Sequence, residues 1–399
     1  MQPALTEHNP RVLGLTDVRT LKEELSPSCT TNGPDTSESL ASAEVALERL
    51  DEAQLKALSE AGSRAGVGVG IGSARTAAGA KCVLSGSLAS LREAAAILGN
   101  LGQMPLGEAL LRTLDARRRR DFKLSAGGRE FDLSRKSLVM GVLNVTPDSF
   151  SDGGRYMDHA AAIERGVAMT EEGADIIDVG GESTRPGAAV VPVEEQLRRV
   201  LPVVRALSEK GTVVSIDTSS AVVARESLDA GAAIVNDVTA LRGDPQMAEV
   251  VASACCDCVL MHMQGTPQTM QQNPRYRDVI DDISAFFEER MSFAIQAGIE
   301  EDALWLDPGF GFGKMPLHNL EILRRLGEFK KFGRPLLIGT SNKGTIGAVL
   351  GTPVNDRLEG TAATVALAIA NGADCVRVHD VRAMMRVVRM TDAVVHPKH

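Results

Sequence analysis

The chain has 399 residues, a formal net charge of −9 and six cysteines. This length allows two or three domains, and the acidic balance disfavours nucleic acid as a general partner because no domain-wide basic field exists. Apolar runs are interrupted by charge, Gly or Pro before the roughly 20 residues that a membrane span needs. The first residues lack the pattern of a secretion signal, and the cysteines form no disulfide framework. We therefore expect a cytoplasmic protein with reduced thiols.

The first third of the chain is predicted to contain a loosely ordered segment and a small domain. Residues 1–40 are rich in Ser, Thr, Pro and Glu without a sustained hydrophobic period, which is typical of loosely ordered chain. Between residues 41 and 135, helical spacing of apolar residues and a strand candidate at 81–86 indicate a small α/β domain of unknown role. The glycine-rich stretch 66–72 lacks the Lys-Ser/Thr pair of a phosphate loop, so we interpret it as a strand or turn.

From residue 136 to residue 399, apolar strand candidates alternate with amphipathic helical segments, which is typical of parallel βα units. The strand candidates are residues 138–143, 175–179, 212–217, 233–237, 258–262, 304–308, 335–340 and 374–379. This number of units predicts an α/β fold with a closed (β/α)8 TIM barrel after the small N-terminal α/β domain. A doubly wound open sheet is the alternative, disfavoured because polar residues end every strand instead of clustering at one switch point.

The carboxyl ends of all barrel strands lie on one face, so their polar residues are expected to form one site. One group offers carboxylates, an amide and an ammonium suited to a planar heterocycle: Asp217, Asn236, Asp307 and Lys343. A second group offers an amide oxygen, guanidinium groups and an imidazole suited to a phosphorylated group: Asn144, Arg185, Arg377 and His379. Asp178 and His262 end two other strands and belong to neither group. A lone Asp or Asn at the end of a strand is more often a cap for the following helix, but the convergence of all these residues favours a ligand.

Several motifs together resemble the dihydropteroate synthases of folate biosynthesis. They include GVLNVTPDSFSDGG at 141–154, DVGGESTRPG at 178–187 and DPGFGFGK at 307–314. The resemblance implies a transferase that condenses 6-hydroxymethyl-7,8-dihydropterin diphosphate with 4-aminobenzoate to give 7,8-dihydropteroate and diphosphate. It also implies Mg²⁺ as a cofactor, pterin diphosphate and 4-aminobenzoate as small-molecule partners, and a homodimer.

The resemblance further implies a role for each matching residue. The residues expected to bind the pterin and take part in catalysis are Asp307, Lys343 and Asp217, with Asn236 as a further pterin contact and Met261 and Phe312 against the ring. Asn144 is expected near Mg²⁺ and the diphosphate, which Arg185, Arg377 and His379 are expected to contact. The edge of the aminobenzoate site is expected at Thr184, Pro186 and Ser341. The family commonly has Ser-Arg-Lys after the seventh strand, whereas this chain has Asn342 in place of the arginine.

Two other functions are compatible with a pterin-binding barrel. A methyltetrahydrofolate-dependent methyltransferase would share the pterin-binding carboxylates and amide, but would not need Arg185, Lys343 and Arg377 together. A non-catalytic pterin-binding module is the second alternative. It is disfavoured because the predicted loops at 145–154 and 183–187 and all polar strand ends are intact.

Overall fold

The computed structural model describes residues 42–72, 80–118, 122–126, 129–146, 159–182, 191–266 and 269–395. The segment 1–40, predicted to be loosely ordered, lies outside the described residues. The chain divides into two compact units, and the division falls between Arg118 and Arg119. Among the helices that the structure describes, none has the length and apolar character needed to cross a membrane.

The smaller unit is an antiparallel sheet with strand order β1-β3-β2, covered by helices. Its elements are β1 (Ser42–Leu50), α1 (Glu52–Ala65), β2 (Gly68–Ile71), β3 (Ala80–Ser87), α2 (Leu88–Asn100) and α3 (Met104–Arg118). Helix α1 begins at Asp51, whose side chain accepts a hydrogen bond from the Gln54 amide at 2.8 Å while the Gln54 side chain accepts from the Asp51 amide. Leu58, Leu84 and Leu91 are buried in its core. The unit contains both helices and strands, and part of the glycine-rich stretch forms β2.

The larger unit begins with a hairpin and continues as a barrel. The hairpin strands are β4 (Lys123–Ala126) and β5 (Arg129–Asp132). The barrel strands are β6 (Leu138–Asn144), β7 (Ile176–Gly180), β8 (Val214–Asp217), β9 (Ile234–Asp237), β10 (Asp257–Met261), β11 (Leu304–Asp307), β12 (Leu337–Ile338) and β13 (Cys375–Val378). The helices are α4 (His159–Glu171), α5 (Val193–Glu209), α6 (Ala221–Asp229), α7 (Met247–Ala254), α8 (Val279–Gln296), α9 (Pro316–Arg324), α10 (Gly344–Leu350), α11 (Leu358–Ala370) and α12 (Val381–Val395). Two 3₁₀ helices, Glu301–Ala303 and Leu326–Phe332, flank β11 and β12.

The barrel sheet is parallel and nearly closed, which confirms the predicted TIM barrel and excludes the doubly wound alternative. Its strand order is β11-β10-β9-β8-β7-β6-β13-β12. A single parallel bridge between Leu306 and Leu336 joins the two ends of this series. The amide of Leu306 also donates to the carbonyl of Pro335 at 2.9 Å. This junction between β11 and β12, which we call the seam, completes the circle.

The hairpin packs with the barrel. Phe122 and Phe131 belong to one buried cluster with Leu138, Met140 and Trp305, which lie on the first halves of barrel strands. These aromatic side chains therefore form part of the apolar floor under the strands. The structural division after residue 118 therefore precedes the domain boundary that the sequence predicted at 135. The charged sequence of this segment does not indicate that two of its phenylalanines are buried.

The interior of the barrel changes from apolar to polar along the strands. Strand residues alternate between the interior and the helical layer, so Leu138 and Met140 join the interior floor while Val139 joins the outer cluster. Towards the carboxyl ends, the interior holds Asp178, Asn236 and other polar side chains that bond to one another across strands. The apolar floor supports this polar layer, and the site lies there.

Candidate active site

A guanidinium group joins two carboxylates from neighbouring strands in the polar layer. Arg377 of β13 donates from Nε to Asp178 Oδ2 of β7 at 2.6 Å and from Nη2 to Asp217 Oδ2 of β8 at 2.7 Å. The same Asp178 oxygen accepts from Nδ2 of Asn236 on β9 at 3.0 Å. Asp178 therefore orients both Arg377 and Asn236. Because its Nδ2 is used in this way, Asn236 has its amide oxygen to offer a ligand.

Burial sets the electrostatics of this cluster. Burial raises the pKa of Asp217 to about 7, and the positive charge of Arg377 opposes that rise. Burial also disfavours the charged guanidinium of Arg377, but Asp178 and Asp217 outweigh it and hold the pKa of Arg377 above its usual value. The second oxygen of Asp178, Oδ1, is buried without a hydrogen-bond partner among the described residues. The cluster thus contains more acceptor capacity than the described part of the chain satisfies.

Asp307 ends β11 and is held by the glycine-rich loop that follows it. It is 5% exposed, and its Oδ1 accepts from the amide of Gly309 at 2.7 Å. Gly309 has a φ of +68°, and a Cβ there would overlap the carbonyl oxygen of His262, so only glycine suits this position. Burial raises the pKa of Asp307 to about 6, while the Gly309 amide, Lys343, Lys314 and Arg377 oppose the rise.

Lys343, Phe312 and Met261 lie around the same space. The Lys343 ammonium nitrogen is 4.1 Å from the centroid of the Phe312 ring. Phe312 packs on an apolar cluster of Val238, Met261, Met263 and Met270. The structure therefore brings an apolar wall next to the carboxylates of the polar layer.

Ser341 and His379 form a second pair on the opposite side of the seam from Asp307. The Ser341 hydroxyl oxygen accepts from the backbone amide of His379 at 3.2 Å and lies 3.0 Å from its ring Nδ1. This contact fixes the imidazole at the end of β13. Asn144 ends β6, and a Cβ on Gly180 would lie 3.7 Å from its Oδ1 and 3.8 Å from Asp217 Oδ2. The absence of a side chain at Gly180 therefore leaves room between Asn144 and Asp217.

Three predicted site residues, Thr184, Arg185 and Pro186, lie outside the described residues. So do residues 147–158, which make up most of the segment between β6 and α4. Within the part of the chain that the structure describes, no group of three His, Cys, Asp or Glu side chains could hold a metal ion.

Asn342, which stands where the family commonly has arginine, takes part in a turn through its backbone. Its φ is +58°, a left-handed conformation that Asn adopts more readily than most residues. Its backbone amide donates to Thr361 Oγ1 at 3.2 Å, and its backbone carbonyl accepts from Arg357 Nη1 at 2.8 Å. Arg357, which the sequence did not single out, thus holds the turn that presents Ser341 and Lys343.

Sequence reasoning also missed the roles of Asp178 and Lys314. Asp178 was recognised as a strand end but assigned to neither group, although the structure makes it the shared acceptor of Arg377 and Asn236. Lys314 closes the DPGFGFGK motif, but the sequence pattern indicates no role for it. Lys314 is 2% exposed. The sequence signal for this burial is the run of glycines and phenylalanines that precedes it, because such a run has few polar side chains.

The family model for pterin binding enzymes matches residues 140–379. The barrel, the polar layer and this match define a pterin-binding enzyme. Dihydropteroate synthase of Escherichia coli strain K12 is 47% identical over 277 residues, which are 69% of this chain and 98% of that protein. The chain belongs to the dihydropteroate synthase family.

Two solved structures of the Xanthomonas albilineans dihydropteroate synthase have the same fold. The one with 4-aminobenzoic acid is 42% identical with a TM-score of 0.65, covering 70% of this chain and 100% of that chain. The one in complex with 7,8-dihydropteroate is 40% identical with a TM-score of 0.63, covering 69% of this chain and 100% of that chain. The similarity therefore extends over the whole of those enzymes but not over the whole of this chain.

Proposed function

We propose that the barrel condenses 6-hydroxymethyl-7,8-dihydropterin diphosphate with 4-aminobenzoate, giving 7,8-dihydropteroate and diphosphate. Family membership supports this reaction, as do related structures that contain 4-aminobenzoic acid or 7,8-dihydropteroate. The observation that carries it in this chain is the convergence of Asp178, Asp217 and Asn236 around Arg377. This arrangement offers acceptors to the amino and ring N–H donors of a pterin.

The pterin ring would lie in the polar layer with its edges on hydrogen-bonding groups. Asp217, Asp307 and the amide oxygen of Asn236 supply acceptors, and Lys343 supplies a donor. Met261 and Phe312 supply apolar surface for the faces of the ring. This combination of a few fixed polar groups with an apolar wall is typical of small-molecule sites.

Asp307 has the central electrostatic role in the proposed chemistry. When the bond between the pterin methylene and the diphosphate oxygen breaks, positive charge develops on the methylene and spreads into the ring. An ionised Asp307 stabilises that charge, and its pKa of about 6 leaves it ionised at neutral pH. The amine of 4-aminobenzoate then forms the new bond and loses a proton. A weak aniline nucleophile needs positioning more than activation by a strong base.

Diphosphate and Mg²⁺ would bind next to the pterin, near Asn144. Mg²⁺ prefers oxygen ligands, keeps several waters and commonly binds through one or two protein groups together with substrate phosphates. A single amide oxygen at Asn144 beside the space at Gly180 fits such a substrate-carried ion. When bound, Mg²⁺ neutralises charge on the leaving diphosphate. Arg185, Arg377 and His379 would hold the diphosphate oxygens, and Thr184, Pro186 and Ser341 would border 4-aminobenzoate.

A homodimer would cover an apolar surface on the last barrel helices. Large apolar side chains are exposed there on α10, α11 and α12: Val349, Leu350, Leu358, Leu367, Met390 and Val394. Exposed apolar residues concentrated on neighbouring helices often mark an interface. Sedimentation of the wild type and of a Leu367→Glu, Met390→Glu variant tests this, and a wild-type monomer would contradict it.

The cytoplasm is the proposed location. Five cysteines of the described residues are free thiols, which suits a reducing compartment. Fractionation of cells that express the tagged protein would test this. Recovery outside the cytoplasmic fraction would contradict it.

A diphosphate-release assay tests the proposed reaction. Purified protein is incubated with pterin diphosphate, with and without 4-aminobenzoate and Mg²⁺. We expect stoichiometric diphosphate and dihydropteroate when all components are present. Pterin binding without diphosphate release would favour a non-catalytic module, and transfer of a methyl group from methyltetrahydrofolate to a corrinoid would favour the methyltransferase.

A further inference from the structure

Lys314 is a buried lysine whose ammonium is held by three acceptors next to the loop of Asp307. The side chain is 2% exposed. Its Nζ lies 2.9 Å from Nδ1 of His262, 3.3 Å from the carbonyl oxygen of His262 and 3.0 Å from the carbonyl oxygen of Phe312. The proposed reaction assigns this residue no role.

The geometry defines the protonation states of the pair. An ammonium has three N–H donors, and three acceptors surround Lys314 Nζ. His262 accepts at Nδ1 only if its ring is neutral and carries the proton on Nε2. Burial, aided by Lys314 and Arg242, lowers the pKa of His262 well below its usual value, which agrees with a neutral ring. Burial lowers the pKa of Lys314 to about 7, and Asp307 opposes that change.

The same loop connects Lys314 to Asp307. The amide of Gly309 donates to Asp307 Oδ1 at 2.7 Å. A Cβ built on Gly309 would lie 3.4 Å from Lys314 Nζ, so the ammonium lies close to the residue that binds the carboxylate. Lys314 also holds the Phe312 carbonyl, three residues further along. The ammonium therefore bonds the Phe312 end of the turn and lies close to its Gly309 end.

We propose that Lys314, oriented by His262, is a positioning residue for Asp307. It holds the glycine-rich turn through its hydrogen bond to the Phe312 carbonyl, and it supplies a buried positive charge that keeps the Asp307 carboxylate ionised. The inference rests on the proposed function, because Asp307 is the group it serves. It goes further by assigning a buried cation, in addition to Lys343 and Arg377, to the control of that carboxylate.

Other charged and titratable groups face this pair and must be held constant in a test. Lys343 and Arg377 also favour ionised Asp307. Arg242 faces His262, and burial together with Lys314 lowers the pKa of His318. The ring of Tyr276 lies 6.0 Å from Lys314 Nζ, and its hydroxyl donates to the Gly313 carbonyl at 2.7 Å. These groups stay unchanged in the variants below.

The decisive measurement is the pH profile of turnover for Lys314→Met. Loss of the positive charge raises the pKa of Asp307 further, so the acid limb of kcat and of kcat/KM for pterin diphosphate should move up by roughly one pH unit. Lys330→Met is the matched control. Lys330 is also buried but pairs with Asp374 just before β13, at the opposite end of the barrel. The Lys330→Met variant should have lower thermal stability, and the acid limb of its pH profile of turnover should stay in place.

A second pair of variants keeps the test decisive if Lys314→Met does not fold. His262→Asn places an amide oxygen near the position of Nδ1 and should keep the wild-type limb, whereas His262→Leu removes the acceptor and should move it up. A folded Lys314→Met with an unchanged limb, or equal shifts in both His262 variants, would overturn the proposal. In the labelled wild type, ring nitrogen NMR shifts of a doubly protonated His262 would also overturn it.

The failure of the reaction and the failure of this inference are distinguishable. If the wild type releases no diphosphate, the proposed function fails. The inference is then measured by the pH dependence of binding of an unreactive pterin by calorimetry. The Lys314→Met shift is expected there too, and its absence would overturn the positioning role independently of turnover.

Discussion

At Asp307, burial and chemistry oppose each other. The proposed reaction needs an ionised carboxylate beside the pterin, but burial raises the pKa of this group to about 6. The folded state therefore holds a proton on Asp307 more tightly than the unfolded state does. Stability from this group is fully present below an unfolded pKa of about 4 and is lost as the pH rises through about 6.

We predict opposite effects of Asp307→Asn on turnover and on stability. Turnover should fall by orders of magnitude because the developing cation loses its counter-charge. At pH 8 the free energy of unfolding should rise, by up to about 3 kcal/mol for a shift of about two pKa units, and at pH 4 the gain should vanish. Urea unfolding at both pH values measures this.

Asp257→Asn is the matched control for Asp307→Asn. Burial also raises the pKa of Asp257, to about 7, but this residue begins β10 at the floor end of the barrel. Its replacement should raise stability at pH 8 and leave turnover unchanged. Near-normal turnover of Asp307→Asn would remove Asp307 from the mechanism.

Asp178 gives a second prediction at a single residue. Asp178→Asn removes the negative charge that pairs with Arg377. It also allows the side-chain amide of Asn236 to flip, because the new asparagine can donate a hydrogen bond as well as accept one. We expect KM for pterin diphosphate to rise by roughly tenfold or more, with a smaller change in kcat. Steady-state kinetics on the folded variant check this. An unchanged KM would show that Asp178 does not orient the pterin-binding groups.

At the scale of single elements, the turn after β11 depends on the conformation of its glycines. Gly309 has a positive φ and no room for a Cβ, whereas Gly211 has a φ of +77° and open space around it. Gly211→Ala should lower the free energy of unfolding by about 1 kcal/mol from backbone strain alone. Gly309→Ala should lower it clearly more and weaken pterin binding. Urea unfolding compares the two, and equal losses would contradict a steric role for Gly309.

The positions of the strands could be predicted from the sequence better than the hydrogen-bond partners of the side chains at their ends. Alternation of apolar strands and amphipathic helices indicated the barrel, and the polar strand ends supplied the residues of the proposed site. Strand β12, predicted over 335–340, is only Leu337–Ile338, because its other residues pair at one bridge or turn into the site. The bonds of Asp178 and Lys314 were not predictable, since a sequence shows where a strand ends but not which end residues meet across the barrel.

At the scale of the whole molecule, the smaller unit is an addition to the family pattern. The alignment with the E. coli enzyme uses 98% of that protein but 69% of this chain. The proposed site residues all lie in the larger unit. The sequence assigns the first part of the chain no role, and we predict that it can be removed without loss of the barrel.

We predict that a shortened chain starting at Arg119 keeps diphosphate release. A chain starting at Ser134 should unfold at a lower temperature, because it loses Phe122, Phe131 and Leu133 from the buried floor cluster. Thermal unfolding and the release assay compare both with the full chain. A folded but inactive chain from Arg119 would show that the smaller unit takes part in catalysis.

The single bridge at the seam has a consequence for hydrogen exchange. The amide of Leu306 is bonded to Pro335 across this junction, whereas that of Ile177 is bonded to Val213 within a continuous ladder. Local opening is easiest where few neighbouring bonds must break together, so Leu306 should exchange faster than Ile177. Asp307 and Lys343 lie on opposite sides of the seam. A pterin bound to both should therefore slow exchange at Leu306 far more than at Ile177, even when the pterin cannot react.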